Sequence, residues 1–305
     1  MARAGAVIDP DLDPLETDLV LDAVNRRYGF DFRGYSRASL ERRIRSVCDR
    51  HGMRHIAELI PRLLHEPSFV DQFVNGISVN VTEPFRDPGV FAAMREELFP
   101  VLQTYPYFKI WHAGCASGEE VYSLAILLHE AGLLERAQIY ATDINTEALT
   151  RARDGIYPLE SLRKAEKGYR QAGGQAELSD YYTAQYGAAR FAPMLRKQLV
   201  CSQHNLVTDA PFGEMVLVIC RNVLIYFDHE SKRRVIETFE KKLRPGGHLL
   251  LGHSESLINL STSLELRHLK NDLVYRKPMP GLSTPDLWHA AASEAIASVE
   301  EEGGS

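Results

Sequence analysis

The stretch that decides the fold spans residues 108–120 and reads FKIWHAGCASGEE. The apolar run 108–112 predicts a strand, and the glycine-bearing turn 114–118 leads into a helix predicted over 119–131. Such a turn presents unpaired backbone N–H groups at the carboxyl edge of a parallel sheet, where open α/β sheets bind nucleotides. It lacks the G-x-G-x-x-G spacing of a dinucleotide site, so a cofactor without phosphate fits it better.

The same alternation of strand and helix patterns continues along the chain. Apolar runs predict strands over 139–142, 215–220 and 247–252, and helical periodicity predicts helices over 146–154 and 232–243. This order is typical of an α/β domain with a parallel sheet. The stretch from about 155 to 200 is rich in glycine and tyrosine, which indicates an inserted lobe.

The chain before this domain has a different pattern. Apolar residues recur three or four positions apart between 18 and 88, which predicts a small bundle of helices. Residues 1–17 are predicted to be a flexible N-terminus, and 278–305 a linker followed by a poorly ordered acidic tail. The α/β domain would then occupy 89–277.

Composition places the protein among ordinary soluble globular chains, with 45% hydrophobic and 25% charged residues. No run approaches the roughly 18 apolar residues of a membrane helix, and no signal peptide is evident, so a cytoplasmic location is expected. The four cysteines are scattered without a C-x-x-C pair, which favours neither disulfides nor structural zinc. His51 and His55 lie four apart without a third ligand, and no metal site is expected.

Charge is distributed unevenly over the chain. The net charge of -6 argues against nucleic acid as the main partner, because phosphate binding normally demands a basic surface. The segment 26–62 is nevertheless rich in arginine, which indicates either a docking surface or a solvated helix face. Its arginines are Arg26, Arg27, Arg33, Arg37, Arg42, Arg43, Arg45, Arg50, Arg54 and Arg62.

Several polar residues stand where strands are predicted to end. Asp143 follows the second strand, where a carboxylate usually holds a ribose hydroxyl pair, although it could instead cap the next helix. Glu120 lies at the start of a predicted helix. Its carboxylate would either interact with the partial positive charge at the N-terminus of that helix or hold an ammonium group of a ligand. Tyr226 follows a later strand, and aromatic core packing is the alternative to a substrate role for it. Arg86 lies where the helical segment joins the α/β domain, a common place for a ligand site, and a surface ion pair is its alternative.

Together these segments resemble the CheR-type protein-glutamate methyltransferases of bacterial chemotaxis. The matching pieces, in family order, are NVTEPFR at 80–86, WHAGCASGEEVYS at 111–123, ATDIN at 141–145, CRNVLIYFD at 220–228 and GHSE at 252–255. Pro84 stands where many members of this family have a bulky apolar residue. The glycine-bearing loop that grips a receptor pentapeptide in some relatives is not identifiable, so we expect an enzyme independent of it.

The resemblance implies a fold and a reaction. The fold would be α/β, with a class I (Rossmann-like) S-adenosylmethionine-dependent methyltransferase domain over 89–277, a helical receptor-docking domain over 18–88 and an inserted β-subdomain. The reaction would transfer a methyl group from S-adenosylmethionine to glutamate side chains of chemoreceptors, with S-adenosylhomocysteine as product. The basic helices would dock on the receptor's cytoplasmic helices, and we expect a monomer that binds no nucleic acid.

The resemblance also implies the site residues. Arg86 and Tyr226 would act as the catalytic residues, nearest the transferred methyl. The residues implied in cofactor binding, with the turn glycine, are Asn80, Thr82, Arg86, Gly114, Glu120, Asp143, Asn205, Leu206, Asn222 and Val223. Two other functions stay open at this point: methylation of a different protein or small acid, and a non-catalytic S-adenosylmethionine-binding signalling module.

Overall fold

The computed structural model describes residues 12–78, 82–210, 212–269 and 272–279. Its helices are α1 (Asp13–Tyr28), α2 (Arg37–Arg50), α3 (Leu59–His65), α4 (Pro67–Ile77), α5 (Pro88–Ala93), α6 (Phe99–Gln103), α7 (Glu119–Glu130), α8 (Thr146–Asp154), α9 (Leu159–Gln171), α10 (Pro193–Arg196) and α11 (His229–Lys242). Its strands are β1 (Phe108–Ala113), β2 (Ala137–Asp143), β3 (Ile156–Pro158), β4 (Tyr182–Gln185), β5 (Ala188–Phe191), β6 (Leu199–Gln203), β7 (Met215–Cys220), β8 (Leu243–Leu251), β9 (Glu265–Leu269) and β10 (Asp272–Arg276).

The first four helices form the predicted bundle around a core of their own. Ile44, Phe69 and Phe73 are almost fully buried in it. Helix α1 begins earlier than the expected domain start at residue 18, because a proline occupies its first turn and Thr17 is already fully buried. The helix ends at Gly29, whose φ of 77° gives the left-handed conformation that suits glycine.

The main sheet has seven strands in the order β6-β2-β1-β7-β8-β10-β9. The first five are parallel, and β10 runs antiparallel to both β8 and β9. The chain order reverses between β1 and β7, so the connections that leave these two strands diverge. Open α/β sheets bind ligands at this switch point, beyond the carboxyl ends of the strands.

The inserted lobe is a small antiparallel sheet. Its order is β3-β5-β4, and α9 packs against it. The lobe is anchored by Glu130 at the end of α7, whose carboxylate accepts hydrogen bonds from the hydroxyls of Tyr169 and Tyr181. The predicted fold class is therefore confirmed: a helical domain, a Rossmann-like domain with a mixed sheet, and an inserted β-subdomain.

Some boundaries and elements differ from the prediction. Strand β8 begins at Leu243 rather than at residue 247, because the backbone around Gly246 keeps bonding to Lys277 across the sheet. Helix α11 begins at His229 because Asp228 caps it, accepting the backbone N–H of Ser231 at 2.8 Å. Strands β9 and β10 were not predicted individually, and residues 280–305 of the predicted tail lie outside the described residues.

None of the helices within the described ranges is both long and apolar enough to cross a bilayer.

Candidate active site

The turn between β1 and α7 is held close to the neighbouring strand. Gly114 and Gly118 take φ angles of 73° and 90°, and the backbone N–H groups of Gly114 and Cys115 both donate to the Thr142 carbonyl on β2. A Cβ at Gly114 would lie 2.4 Å from Val223 Cγ2. Glycine is needed there because two loops approach each other with no room for a side chain.

A cavity of about 360 Å³ opens above this turn, at the carboxyl ends of β1, β2 and β7. This volume falls within the range of small-molecule sites. The α/β domain and the helical domain both contribute to its wall. The lining residues are Tyr35, Ser39, Leu40, Arg43, Ile77, Ser78, Thr82, Arg86, His112, Gly114, Cys115, Ala116, Glu120, Asp143, Ile144, His204, Leu206, Arg221, Asn222, Val223, Ile225, Tyr226 and Phe227.

Asp143, at the end of β2, joins the turn to the cavity wall. One carboxylate oxygen accepts the backbone N–H of Ala116 at 2.8 Å, and the other accepts that of Asn145 at 2.9 Å. Burial raises the pKa of Asp143 above its ordinary value, although these backbone donors oppose the shift. A carboxylate has about four lone-pair positions, so acceptor capacity remains for ligand hydroxyls. Helix α8 itself is capped by the Asn145 side chain rather than by Asp143.

Glu120 takes part in a buried ionic network under the cavity. Its carboxylate lies 2.9 Å from Arg221 Nη1 and 3.3 Å from His112 Nε2, and Arg221 also contacts Asp87 at 2.8 Å. Burial acts to raise the pKa of Glu120, but Arg221 and His112 outweigh it, and the net shift is downward. Glu120 therefore remains charged and holds Arg221, whose side chain is only 1% exposed.

The segment that joins the two domains carries Arg86 in an unusual backbone. Phe85 and Asp87, on either side, both have a φ of 54°, in the left-handed region that residues with side chains seldom adopt. Phe85 is buried, and its N–H donates to Ser123 Oγ at 2.8 Å. Strained backbone of this kind persists where the surroundings enforce it, and it is common at functional sites. Here it places Arg86 at the cavity.

The loop after β7 forms the opposite wall. Asn222 has a φ of 59°, and its buried Oδ1 has no hydrogen-bond partner among the described residues. Tyr226 lies in a 3₁₀ turn, and its carbonyl accepts the Ser36 N–H of the helical domain at 2.7 Å. The Arg43 guanidinium of α2 lies 5.9 Å from the Tyr226 ring centre. The helical domain is thus joined to the loop that bears Tyr226.

Most residues predicted for the site meet at this one cavity. Thr82, Arg86, Gly114, Glu120, Asp143, Leu206, Asn222, Val223 and Tyr226 all line it. Asn205 is not among the lining residues, since its side-chain oxygen accepts the Val207 N–H within its own turn. Asn80 lies outside the described residues.

Other residues at the cavity were given no specific role from the sequence. Arg221 directly follows β7, and its position at the end of a strand was a usable signal for it. His204 lines the wall, and burial lowers its pKa. Nothing local in the sequence distinguishes Arg43 from the other arginines of the helical domain.

The sheet order, the glycine turn and the acid at the tip of β2 together form a cleft of the kind in which open α/β sheets bind nucleotides. Residues 80–272 match the CheR methyltransferase SAM-binding domain, and residues 15–78 match the CheR methyltransferase all-alpha domain. The chain belongs to the CheR methyltransferase family.

Curated relatives agree with this assignment. A protein of Pseudomonas putida strain KT2440 named putative methyltransferase Cher3 is 45% identical over 80% of this chain and 89% of its own length. Chemotaxis protein methyltransferase of Listeria monocytogenes is 31% identical over 77% of this chain and 88% of its own. Chemotaxis protein methyltransferase 1 of Pseudomonas aeruginosa is 30% identical over 77% of this chain and 87% of its own length.

The cavity has the chemistry that S-adenosylmethionine requires. Asp143 places a carboxylate in the cavity wall, and the Asn222 Oδ1 is a buried acceptor with no hydrogen-bond partner in the described part of the chain. Gly114 adds backbone without a side chain to the wall. The wall combines two carboxylates and several apolar side chains with the guanidinium groups of Arg43, Arg86 and Arg221. The carboxylates and the apolar side chains suit a cationic cofactor with an adenine ring. The protein is an S-adenosylmethionine-dependent methyltransferase.

Proposed function

We propose that this enzyme methylates glutamate side-chain carboxylates of chemoreceptors, for sensory adaptation, giving glutamate methyl esters and S-adenosylhomocysteine. The observation that carries the proposal is the presence of two guanidinium groups in the cavity wall besides the ion-paired Arg221: Arg86 from the domain junction and Arg43 from α2. The Arg43 guanidinium lies 5.9 Å from the ring centre of Tyr226. Arginine is well suited to bind a carboxylate through two parallel hydrogen bonds. An anionic acceptor is therefore favoured over an amine.

The chemistry of such an acceptor matches what the cavity offers. A glutamate carboxylate, with a reference pKa near 4.3, is ionised at neutral pH and needs no general base to attack. The bound cofactor supplies a methyl group on a positively charged sulfur. A carboxylate oxygen forms the new bond to carbon while the carbon–sulfur bond breaks and its electron pair stays on sulfur, so no proton moves.

The protein's contribution is then alignment and exclusion of water. Arg86 would orient the acceptor carboxylate, and Tyr226 would form the wall beside it. Holding two reactants in line can remove roughly 7–11 kcal/mol of barrier, so positioning groups supply much of the catalysis. The Asp87 carboxylate is 4.0 Å from the Arg86 guanidinium, and its side chain is more than half exposed. An exposed ion pair contributes little, so the Arg86 guanidinium remains available to bind an acceptor.

The helical domain supports a helical receptor as the macromolecular substrate. Arg26, Arg33, Arg37, Arg45 and Arg62 are paired with acidic neighbours. Arg42 and Arg50 of α2 are exposed and form no ion pair within the described part of the chain. Arg50 lies seven residues after Arg43, about 10 Å along the helix from the cavity. Such a line of charge could hold a receptor helix while one glutamate enters the site.

The same proposal includes the setting in which the enzyme works. We infer that it acts in the cytoplasm, as a monomer, on the cytoplasmic helices of receptors, and that nucleic acid is not its acceptor.

The test is methyl transfer followed by mild alkali. Purified protein is incubated with methyl-labelled S-adenosylmethionine and receptor-containing membranes, and the label released as volatile methanol is measured, since methyl esters release it readily and methylamines do not. We expect alkali-labile label with the native enzyme. Arg86→Ala should abolish turnover while leaving cofactor affinity largely intact, because the lost group orients the acceptor.

Controls separate this result from its alternatives. Arg86→Lys keeps the charge without the two-pronged geometry and should be intermediate, whereas Arg26→Ala, on an exposed face of α1, should behave as native. Near-normal turnover of Arg86→Ala would rule out the role of Arg86. Alkali-stable label would indicate a different acceptor, and cofactor binding without any transfer would indicate a signalling module.

A further inference from the structure

A buried carboxylate at Glu255 supports the loop that forms one wall of the cavity. The side chain lies beyond β8, is 4% exposed, and does not line the cavity. Its Oε1 accepts the backbone N–H groups of Val223 and Leu224 at 2.9 and 2.6 Å. Its Oε2 accepts those of Asn222 and Gly252 at 2.8 and 2.7 Å. One side chain thus binds four backbone donors.

The conformation of this loop needs such support. Asn222 lies in the left-handed region, with a φ of 59°, and its buried Oδ1 has no hydrogen-bond partner among the described residues. Three consecutive N–H groups at residues 222–224 converge on one carboxylate, which fixes both the direction of the backbone and the side chains it carries. Asn222 and Val223 line the cavity as a result.

We propose that Glu255 is a positioning residue for cofactor binding, acting through Asn222. Its carboxylate keeps residues 222–224 in the conformation that places the Asn222 side chain at the cavity. Only a carboxylate serves here, because each of its two oxygens accepts two N–H groups. An amide has a single acceptor oxygen, and its own N–H groups would face two backbone donors.

The experiment is a double-mutant cycle on S-adenosylmethionine affinity, measured by calorimetric titration without any acceptor. The variants are Glu255→Gln, Asn222→Gly and the two combined; glycine tolerates the left-handed backbone without the side chain. We expect Glu255→Gln to weaken binding by about tenfold or more, since small displacements in a site are costly. In the Asn222→Gly background the same change should cost less than about twofold, because the group it positions is gone.

Controls separate positioning from general stability. Glu240→Gln removes a carboxylate that binds Thr262 and Ser263 in an outer loop, and it should leave affinity unchanged. If Glu255→Gln does not fold, Gly252→Ala is the alternative variant. The added Cβ would lie 2.7 Å from Glu255 Oε2 and 2.9 Å from Asn222 N, which is too close, so the contact between these two groups would be disturbed. Gly252→Ala should then weaken binding as Glu255→Gln is expected to do.

Two results would overturn the proposal: native affinity in the folded variants, or an equal loss from Glu255→Gln with and without Asn222. The titration contains only protein and S-adenosylmethionine. If the glutamate acceptor proves wrong, the measured effect of Glu255 on cofactor affinity still holds. If Glu255 proves to have no such effect, the identity of the acceptor is not affected.

Discussion

At the scale of single residues, burial and nearby hydrogen-bond donors shift the pKa of each carboxylate of the site differently. Asp143 has backbone donors and no cationic partner in an ion pair among the described residues, so burial dominates and raises its pKa. Glu120 is equally enclosed, but Arg221 and His112 keep its pKa low. The pKa values of these two acids of the same cavity are therefore shifted in opposite directions.

We predict that S-adenosylmethionine affinity falls as pH is lowered through the raised pKa of Asp143, because the protonated carboxyl accepts hydrogen bonds poorly. Asp143→Asn should weaken binding by roughly 10- to 100-fold at neutral pH, the equivalent of about 1.5–3 kcal/mol for a hydrogen bond to a charged group. It should also lose most of the pH dependence. Calorimetric titration at neutral pH and at successively lower pH, down to the ordinary range of a carboxyl group, measures both effects.

Asp31→Asn is the matched control for this prediction, because Asp31 binds Arg33 on the helical domain and does not line the cavity. A pH dependence that survives unchanged in Asp143→Asn would assign the titration to another group.

At the scale of elements, α2 has two different faces. Ile44 and Val47 are buried in the bundle, whereas Arg43 reaches the cavity and is held by the Ser39 hydroxyl and the Ser78 carbonyl, each 3.3 Å away. Arg50 continues from Arg43 along the exposed side of the helix. One element thus joins the site to a surface on which a macromolecular acceptor could rest.

We predict that Arg50→Glu raises the KM for receptor several-fold, and that its effect shrinks as salt rises, because the contact would be between exposed charges. Cofactor affinity and kcat at saturating receptor should be unchanged, since Arg50 is remote from the cavity. Initial-rate kinetics at two ionic strengths provide the measurement. Arg26→Glu on α1 is the matched charge reversal, and an equal effect from it would point to net charge rather than to a docking surface.

At the scale of the whole molecule, the two domains enclose the cavity jointly. Asp228 donates its N–H to the Gly34 carbonyl at 2.6 Å, and Ser36 donates to the Tyr226 carbonyl at 2.7 Å. The rings of Tyr35 and Phe227 meet edge to face at 4.8 Å. Both domains line the cavity, so we expect a ligand bound there to stabilise both.

We predict that S-adenosylhomocysteine slows amide hydrogen exchange in α2 as well as in residues 222–228. At one hundred times its Kd, a ligand that binds only the folded state adds about 2.7 kcal/mol to the free energy of unfolding. Exchange followed by mass spectrometry, with and without ligand, resolves the two regions. Protection confined to the α/β domain would contradict a cavity shared by both domains.

The sequence by itself determined the class of fold and predicted most of the residues that are found to line the cavity. The turn at 114–118, the acid at Asp143 and the alternation of apolar runs depend on short-range pattern, because strand ends and glycine turns are encoded locally. The same local character explains why α8 and β7 were predicted with their observed bounds. Arg86, Asn222 and Tyr226 entered through a family resemblance rather than through physical pattern.

Only the tertiary structure decided which of these residues act together. Arg221 joins Glu120 across more than a hundred positions of chain, Glu255 reaches the backbone of Asn222, and Arg43 of a separate domain comes to lie over Tyr226. No local pattern encodes such pairs, because they arise when strands distant in the chain become neighbours in a sheet. Sequence marks where a strand ends, and the order of strands in the sheet determines which ends share one cavity.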